Sequence, residues 1–193
     1  TGSARLGDAE LCGTGEATLR PVRARDVGFV FQQPLTALTP HLTVGAQLAE
    51  AAMQAGGPRP DRAALAAMLE AVGLDLAEER LDQYPHRLSG GQRQRVMIAA
   101  AIAHGPKLLV ADEPTTALDA SLRHEIMDLF DTLRRERGLG ILLVSHDLAT
   151  VRGHADQILV MRNGRMVETG GARQIIETPE QAYIKELVAA APR

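Results

Sequence analysis

Lysine is nearly missing from this chain of 193 residues: of 21 cationic side chains only Lys107 and Lys185 are lysines. The bias fits GC-rich coding and carries no function by itself, but it makes every lysine-dependent motif easy to audit. Basic excess is missing too, since the formal net charge of -3 offers no electrostatic footprint for nucleic acid. The single Cys12 cannot form an internal disulfide, which suits a reducing compartment. No apolar run approaches the roughly 20 residues of a membrane helix, and the first residues lack the charged-then-apolar order of a signal peptide. Repeats and low-complexity segments are absent as well. What is there is an ordinary globular composition, 45% apolar, on a chain long enough for one substantial core. The chain itself is expected in the cytosol.

Residues 1–25 are Gly-rich and weakly periodic, with candidate strands at Ala4–Leu6 and Glu10–Leu11. Val27–Phe31, "VGFVF", reads as a buried strand closed by Gln32, Gln33 and Pro34. Thr43 is placed to cap a helix running to about Gln54, and Asp61 a second through about Val72, ended by Gly73. Ser89, Gly90 and Gly91 open a helix that continues through Ile102. Leu108–Ala111 is a compact apolar strand followed by "DEPTTALD". Ser121–Arg137 is an amphipathic helix with Ile126, Leu129, Phe130 and Leu133 on one side. Ile141–Val144 is another buried strand, ending in Ser145, His146 and Asp147. Gln157–Met161 and Arg165–Thr169 flank a hairpin turn at Asn163 and Gly164. Two short helices, Ala172–Glu177 and Glu180–Ala190, follow. Strand and helix alternating from Lys107 onward predict a parallel sheet covered by helices, interrupted earlier by a helical lobe.

Two stretches carry chemistry. Asp112 stands at the carboxyl end of a predicted strand, where open α/β sheets bind ligands, and its carboxylate can hold magnesium directly or through water. Glu113, one residue on, points differently and could polarise an attacking water. For this string alone a capped turn is an equally good reading. "LSGGQ" adds a Ser89 hydroxyl and two glycines that let backbone N–H groups approach an anion at a helix start. Its bland alternative is a plain N-cap with flexible glycines.

Taken together, "FVFQQP", "LSGGQ", "LLVADE", "TALD" and "SHD" occur in the order found in the nucleotide-binding subunits of ABC transporters, and the resemblance extends over essentially the whole chain. It implies an α/β fold: a P-loop NTPase-like (RecA-like) parallel sheet core, residues 1–34 and 106–171, with an inserted α-helical lobe at 35–105 and closing helices at 172–193. ATP and Mg2+ are the implied cofactors. Gln32 would sense the γ-phosphate and magnesium, Asp112 would hold magnesium with it, Glu113 and His146 would serve catalysis, and Asp119 would belong to the D-loop. Ser89, Gly90, Gly91 and Gln92 would complete a partner's nucleotide site. "LTALTPHLTVG", "YPHRLSGGQRQRVMIA" and "TPEQAYIKELVAAAP" resemble the dipeptide, oligopeptide and nickel import branch. His41, Tyr84 and His86 match that branch and are assigned structural or coupling roles. Arg87 departs from it, standing where Glu is common. Implied partners are permease subunits, a second ATPase subunit, identical or paralogous, and indirectly an extracytoplasmic binding protein, at the cytoplasmic membrane face.

The phosphate loop is what this family reading leaves unfilled. A Walker A loop needs GxxxxGK[ST], and no Gly-Lys pair occurs in the sequence. "CGTGEATL" comes nearest, but Glu16 would put a negative charge where the cation belongs. The expectation is therefore an amino-terminally truncated ATPase, inactive alone. The alternative is a naturally degenerate, non-hydrolytic subunit that only donates its signature to a partner; ABC ATPases of DNA repair or translation fit less well, for lack of coiled coils or domain duplication.

Overall fold

The computed structural model describes residues 2–32, 37–116 and 118–190. They form two compact units, residues 1–144 and 145–193.

In the first unit a small antiparallel pair, β1 (Arg5–Leu6) and β2 (Ala9–Glu10), leads into α1 (Glu16–Asp26). Sequence reading did not anticipate α1, because Gly13, Gly15 and the internal Pro21 argue against a helix. Asp26 at its end is buried and held by Arg25 at 2.7 Å and Lys107 at 3.3 Å. Then come β3 (Val27–Val30), a helical stretch and β4 (Leu108–Asp112). The helices are α2 (Val44–Met53), α3 (Arg62–Glu70), the single turn α4 (Ala77–Arg80) and α5 (Gly90–Ile102). Thr43 and Asp61 cap α2 and α3 by accepting from Ala46 N and Ala64 N, as their residue types predict. Gly73 follows α3 with φ 70°, a left-handed stop that costs glycine nothing. The strand expected to reach Phe31 ends one residue earlier, and Gln33 and Pro34 lie outside the described residues.

α6 (Ala120–Arg137) and β5 (Gly140–Val144) complete this unit. The strands form a parallel sheet in the order β3-β4-β5, with Phe29, Val110 and Leu142 in one row and Gly28, Leu109 and Ile141 in the next. Among the described residues of this unit, one sheet face is filled. Val30, Leu109 and Ala111 are fully buried beside Ile98 of α5 and Ile126 of α6 in one apolar cluster, whereas Phe29, Leu142 and Val144 are exposed. Gly28 shows how close α5 comes: a Cβ there would lie 2.2 Å from the Ala101 carbonyl oxygen.

The second unit holds a short helical turn, α7 (Leu148–Val151), then an antiparallel hairpin of β6 (Gln157–Arg162) and β7 (Arg165–Gly171). Asn163 and Gly164 turn it with φ 50° and 72°. α8 (Ala172–Glu177) and α9 (Ala182–Ala190) follow, with Ile175, Ile176 and Ile184 buried. The helix expected from Glu180 starts later because the Glu168 carboxylate accepts from the Glu180 and Gln181 N–H groups, fixing that approach outside the helix.

Candidate active site

β4 delivers Asp112, with its side chain exposed, at the carboxyl end of a parallel strand. The chain then leaves the strand abruptly. Glu113 adopts φ 45°, a region unfavourable for a residue with a Cβ, while its N–H still donates to the Val144 carbonyl at 2.9 Å. That kink ends β4 at Asp112. Gln32, just past β3, donates from Nε2 to Glu113 Oε2 at 2.9 Å. Thr116 donates from Oγ1 to the same oxygen, also at 2.9 Å. A carboxylate is an acceptor only, and both of these donors reach one of its oxygens.

At the start of α5, Ser89 Oγ accepts from Gln92 N at 3.3 Å and Gln92 Oε1 accepts from Ser89 N at 3.0 Å, a reciprocal capping box. The Ser89 hydroxyl keeps its own proton to donate. The two glycines are not equivalent. A Cβ on Gly90 would meet open space, whereas one on Gly91 would lie 2.6 Å from Leu122 Cδ2. Gly91 therefore lets α5 approach the first turn of α6, which Asp119 caps by accepting from Leu122 N at 2.9 Å. Deeper in α5 the buried Gln94 donates from Nε2 to the Pro114 carbonyl at 2.7 Å. Signature helix and acidic turn are thus tied inside one core. Sequence reading passed over Thr116, Gln94 and Leu122, whose partners are set by packing.

Among the predicted residues, Gln32, Asp112 and Glu113 gather at the ends of β3 and β4. Ser89, Gly90, Gly91 and Gln92 form the start of α5, and Asp119 that of α6. His146 belongs to the second unit, exposed between Ser145 and Asp147. Asp147 accepts from the Thr150 hydroxyl at 2.7 Å and donates its N–H to Ser145 Oγ at 3.0 Å, which frames His146 on a fixed turn. Tyr84 and His86 stack with ring centroids 5.7 Å apart, and Arg87 is exposed.

Neither lysine takes a phosphate-loop position. Lys107 is spent on Asp26, and Lys185 lies in α9. Glu16 opens α1 and pairs with Arg23, so "CGTGEATL" is a helix entry with its acid engaged. Magnesium takes hard oxygen donors. The Asp112 carboxylate and the Gln32 amide oxygen, which no bond uses among the described residues, fit that requirement.

Comparison with known proteins follows this geometry. A family model described as ABC transporter matches residues 5–116. The chain is 41% identical over 186 residues to the dipeptide transport ATP-binding protein DppD of Bacillus subtilis, covering 95% of this chain and 56% of that protein. It is 45% identical over 180 residues to the peptidoglycan transport ATP-binding protein YejF of Agrobacterium fabrum, covering 92% and 33%. With the glutathione import ATP-binding protein GsiA of Salmonella typhi it shares 42% over 186 residues, covering 95% and 30%. The chain thus spans from under a third to just over half of the length of these curated relatives. It is also similar to a dimeric post-hydrolysis structure of the ATP-binding cassette MJ0796 bound to ADP and Pi, with a TM-score of 0.75, 29% identity, and coverage of 90% of this chain and 74% of that one. The family model, the α/β fold with its parallel sheet and the ordered motifs make this chain a member of the ABC transporter family, similar in sequence to peptide-type import ATP-binding proteins.

Proposed function

We propose that this domain is the ATP-hydrolysing subunit of an importer for peptides or a related small solute such as nickel. The observation that carries the reading is the Gln32–Glu113 bond, which places a glutamine able to sense a ligand on the carboxylate able to polarise water. In this reading Glu113 acts as general base, accepting a proton from the attacking water. Asp112 and the Gln32 amide oxygen would hold magnesium, which when bound offsets phosphate charge. Ser89, Gly90, Gly91 and Gln92 present donors to a partner subunit's nucleotide at the start of α5, where the helix dipole favours anions. His146 contacts the γ-phosphate, and Asp119 orders the turn facing the partner. The division into a core of residues 1–34 and 106–171, a lobe of 35–105 and closing helices of 172–193 belongs to the same proposal. So do the permease and second ATPase as partners, the indirect link to a binding protein, and a place on the cytoplasmic membrane face.

The 193 residues hold no GxxxxGK[ST] loop, and they are expected to retain ATP poorly by themselves. A non-hydrolytic subunit that lends only its signature is the second reading, favoured by the absent Gly-Lys pair and by the commitment of Lys107 to Asp26. Turnover separates the two. The chain is assayed as it stands and with the Walker A segment of a dipeptide-importer relative joined upstream. Turnover gained with the segment and abolished by Glu113→Gln supports the hydrolytic reading; no turnover with the segment supports the lending subunit.

A further inference from the structure

Resting on the reading of Glu113 as the base, we infer that Thr116 is a positioning residue for that carboxylate. Glu113 sits on a turn whose left-handed backbone, φ 45°, does not by itself fix where the side chain goes. Two hydrogen bonds help to fix it, and both use Oε2: from Gln32 Nε2 and Thr116 Oγ1, each at 2.9 Å.

The donors differ in how permanent they are. Gln32 reaches the carboxylate from 81 residues away, from a segment past the end of β3. Its amide oxygen is also the atom suited to a cation, so a captured ligand can draw the same side chain away from this contact. Thr116 lies three residues beyond Glu113 on the same turn, which its N–H closes by donating to the Glu113 carbonyl at 3.3 Å. The turn is anchored from beneath: Thr115 is buried, and the Pro114 carbonyl is held by buried Gln94 at 2.7 Å. The Thr116 hydroxyl is therefore the fixed donor and the Gln32 amide the exchangeable one. When Gln32 turns to a ligand, Thr116 keeps the carboxylate oriented for water. The role requires a hydroxyl, not a particular side-chain bulk.

The test pairs Thr116→Val, which keeps the shape and removes the hydroxyl, with Thr116→Ser, which keeps the hydroxyl. Two readouts are taken. The first is the carboxyl carbon NMR resonance of Glu113 in the 193-residue chain, assigned by its loss in Glu113→Gln. The second is ATP turnover by the chain joined to a Walker A segment. Thr116→Val should move the resonance and lower kcat about tenfold at unchanged KM, the scale of one hydrogen bond to a charged group. Thr116→Ser should match the wild type in both. The inference is overturned if Thr116→Val leaves resonance and kcat unchanged, if it acts on KM instead, or if Thr116→Ser is as impaired as the valine variant. The resonance needs no ATP, so it stays informative about the contact if Glu113→Gln still turns over. That last result would remove the base assignment itself.

Discussion

Gln32 and Glu113 meet through one hydrogen bond, Nε2 to Oε2 at 2.9 Å, that joins the end of β3 to the end of β4 across 81 residues of chain. Parallel pairing of Val30 with Ala111 brings the two strand ends level, so the sheet register itself places the amide beside the acid. Both side chains lie toward solvent, where the bond adds little to stability and can be traded for a ligand.

Replacing Gln32 by Glu should therefore leave folding nearly unchanged and lower ATP turnover by more than Gln32→Ala does. The new carboxylate repels Glu113 instead of donating to it. Steady-state rates of the chain joined to a Walker A segment, beside urea denaturation, check this. Turnover of the glutamate variant at the wild-type level would place the bond outside the working site.

The signature glycines should separate by their surroundings. Gly91→Ala pushes a methyl to within 2.6 Å of Leu122 Cδ2 and should cost about 1–3 kcal/mol, the usual range for overpacking. Leu122→Ala in the same chain should recover much of that loss. Gly90→Ala meets open space and should be neutral or slightly stabilising in a helical first turn. Chemical denaturation of the wild type, Gly91→Ala, Leu122→Ala and the double variant forms a double-mutant cycle, with Gly90→Ala as internal control.

Gln94→Leu should be costly although it is nearly isosteric. It strips the Pro114 carbonyl of its buried donor, and an unsatisfied buried group costs about 1–3 kcal/mol. Denaturation midpoints measure the loss. Because the same bond ties α5 to the turn carrying Glu113 and Thr116, the Thr116 hydroxyl contact should loosen too, visible as a shift in the Glu113 carboxyl resonance.

Acid should weaken the fold in two stages. His104 has a pKa held below its ordinary value of 6.5, chiefly by burial and against an opposing pull from the Val27 backbone. The unfolded chain binds that proton more readily, so stability is full above about pH 6.5 and falls as pH drops toward the folded value. Asp26 is held below the usual carboxylate range, first by its hydrogen bond from Arg25 and then by Lys107, against its own burial. Its contribution is present above about pH 4 and is lost as pH falls through the folded value. His104→Leu should flatten the upper stage and Asp26→Asn the lower, in denaturation midpoints followed from pH 8 to pH 3.

Local signals told most of the architecture. Thr43, Asp61 and Ser89 are capping types at the helix starts they mark, and Asn163-Gly164 permits the two positive φ angles its turn needs. Short runs such as Leu108–Asp112 are strands because both neighbours pair with them. α1 escaped notice because its entry glycines and Pro21 outweigh a weak apolar pattern, while burial of Asp26 between Arg25 and Lys107 secures its end. The site divided in the same way. Asp112, Glu113 and Ser89 announce themselves by residue type and order. Thr116, Gln94 and the packing reason for Gly91 depend on partners 3, 20 and 31 residues distant in sequence, two of which no local window contains.

The row Phe29, Val110 and Leu142 has a consequence for how the molecule is made. Its first two members are separated by the whole run of α2–α5, so β3 can zip onto β4 only after that long loop has closed, an entropic toll collected before any sheet contact rewards it. The helices between them pack within that loop, α2 and α3 against α5. Assembly should run from the helices inward, with β3 arriving late, and the arm carrying Gln32 reaches Glu113 only at the end of folding.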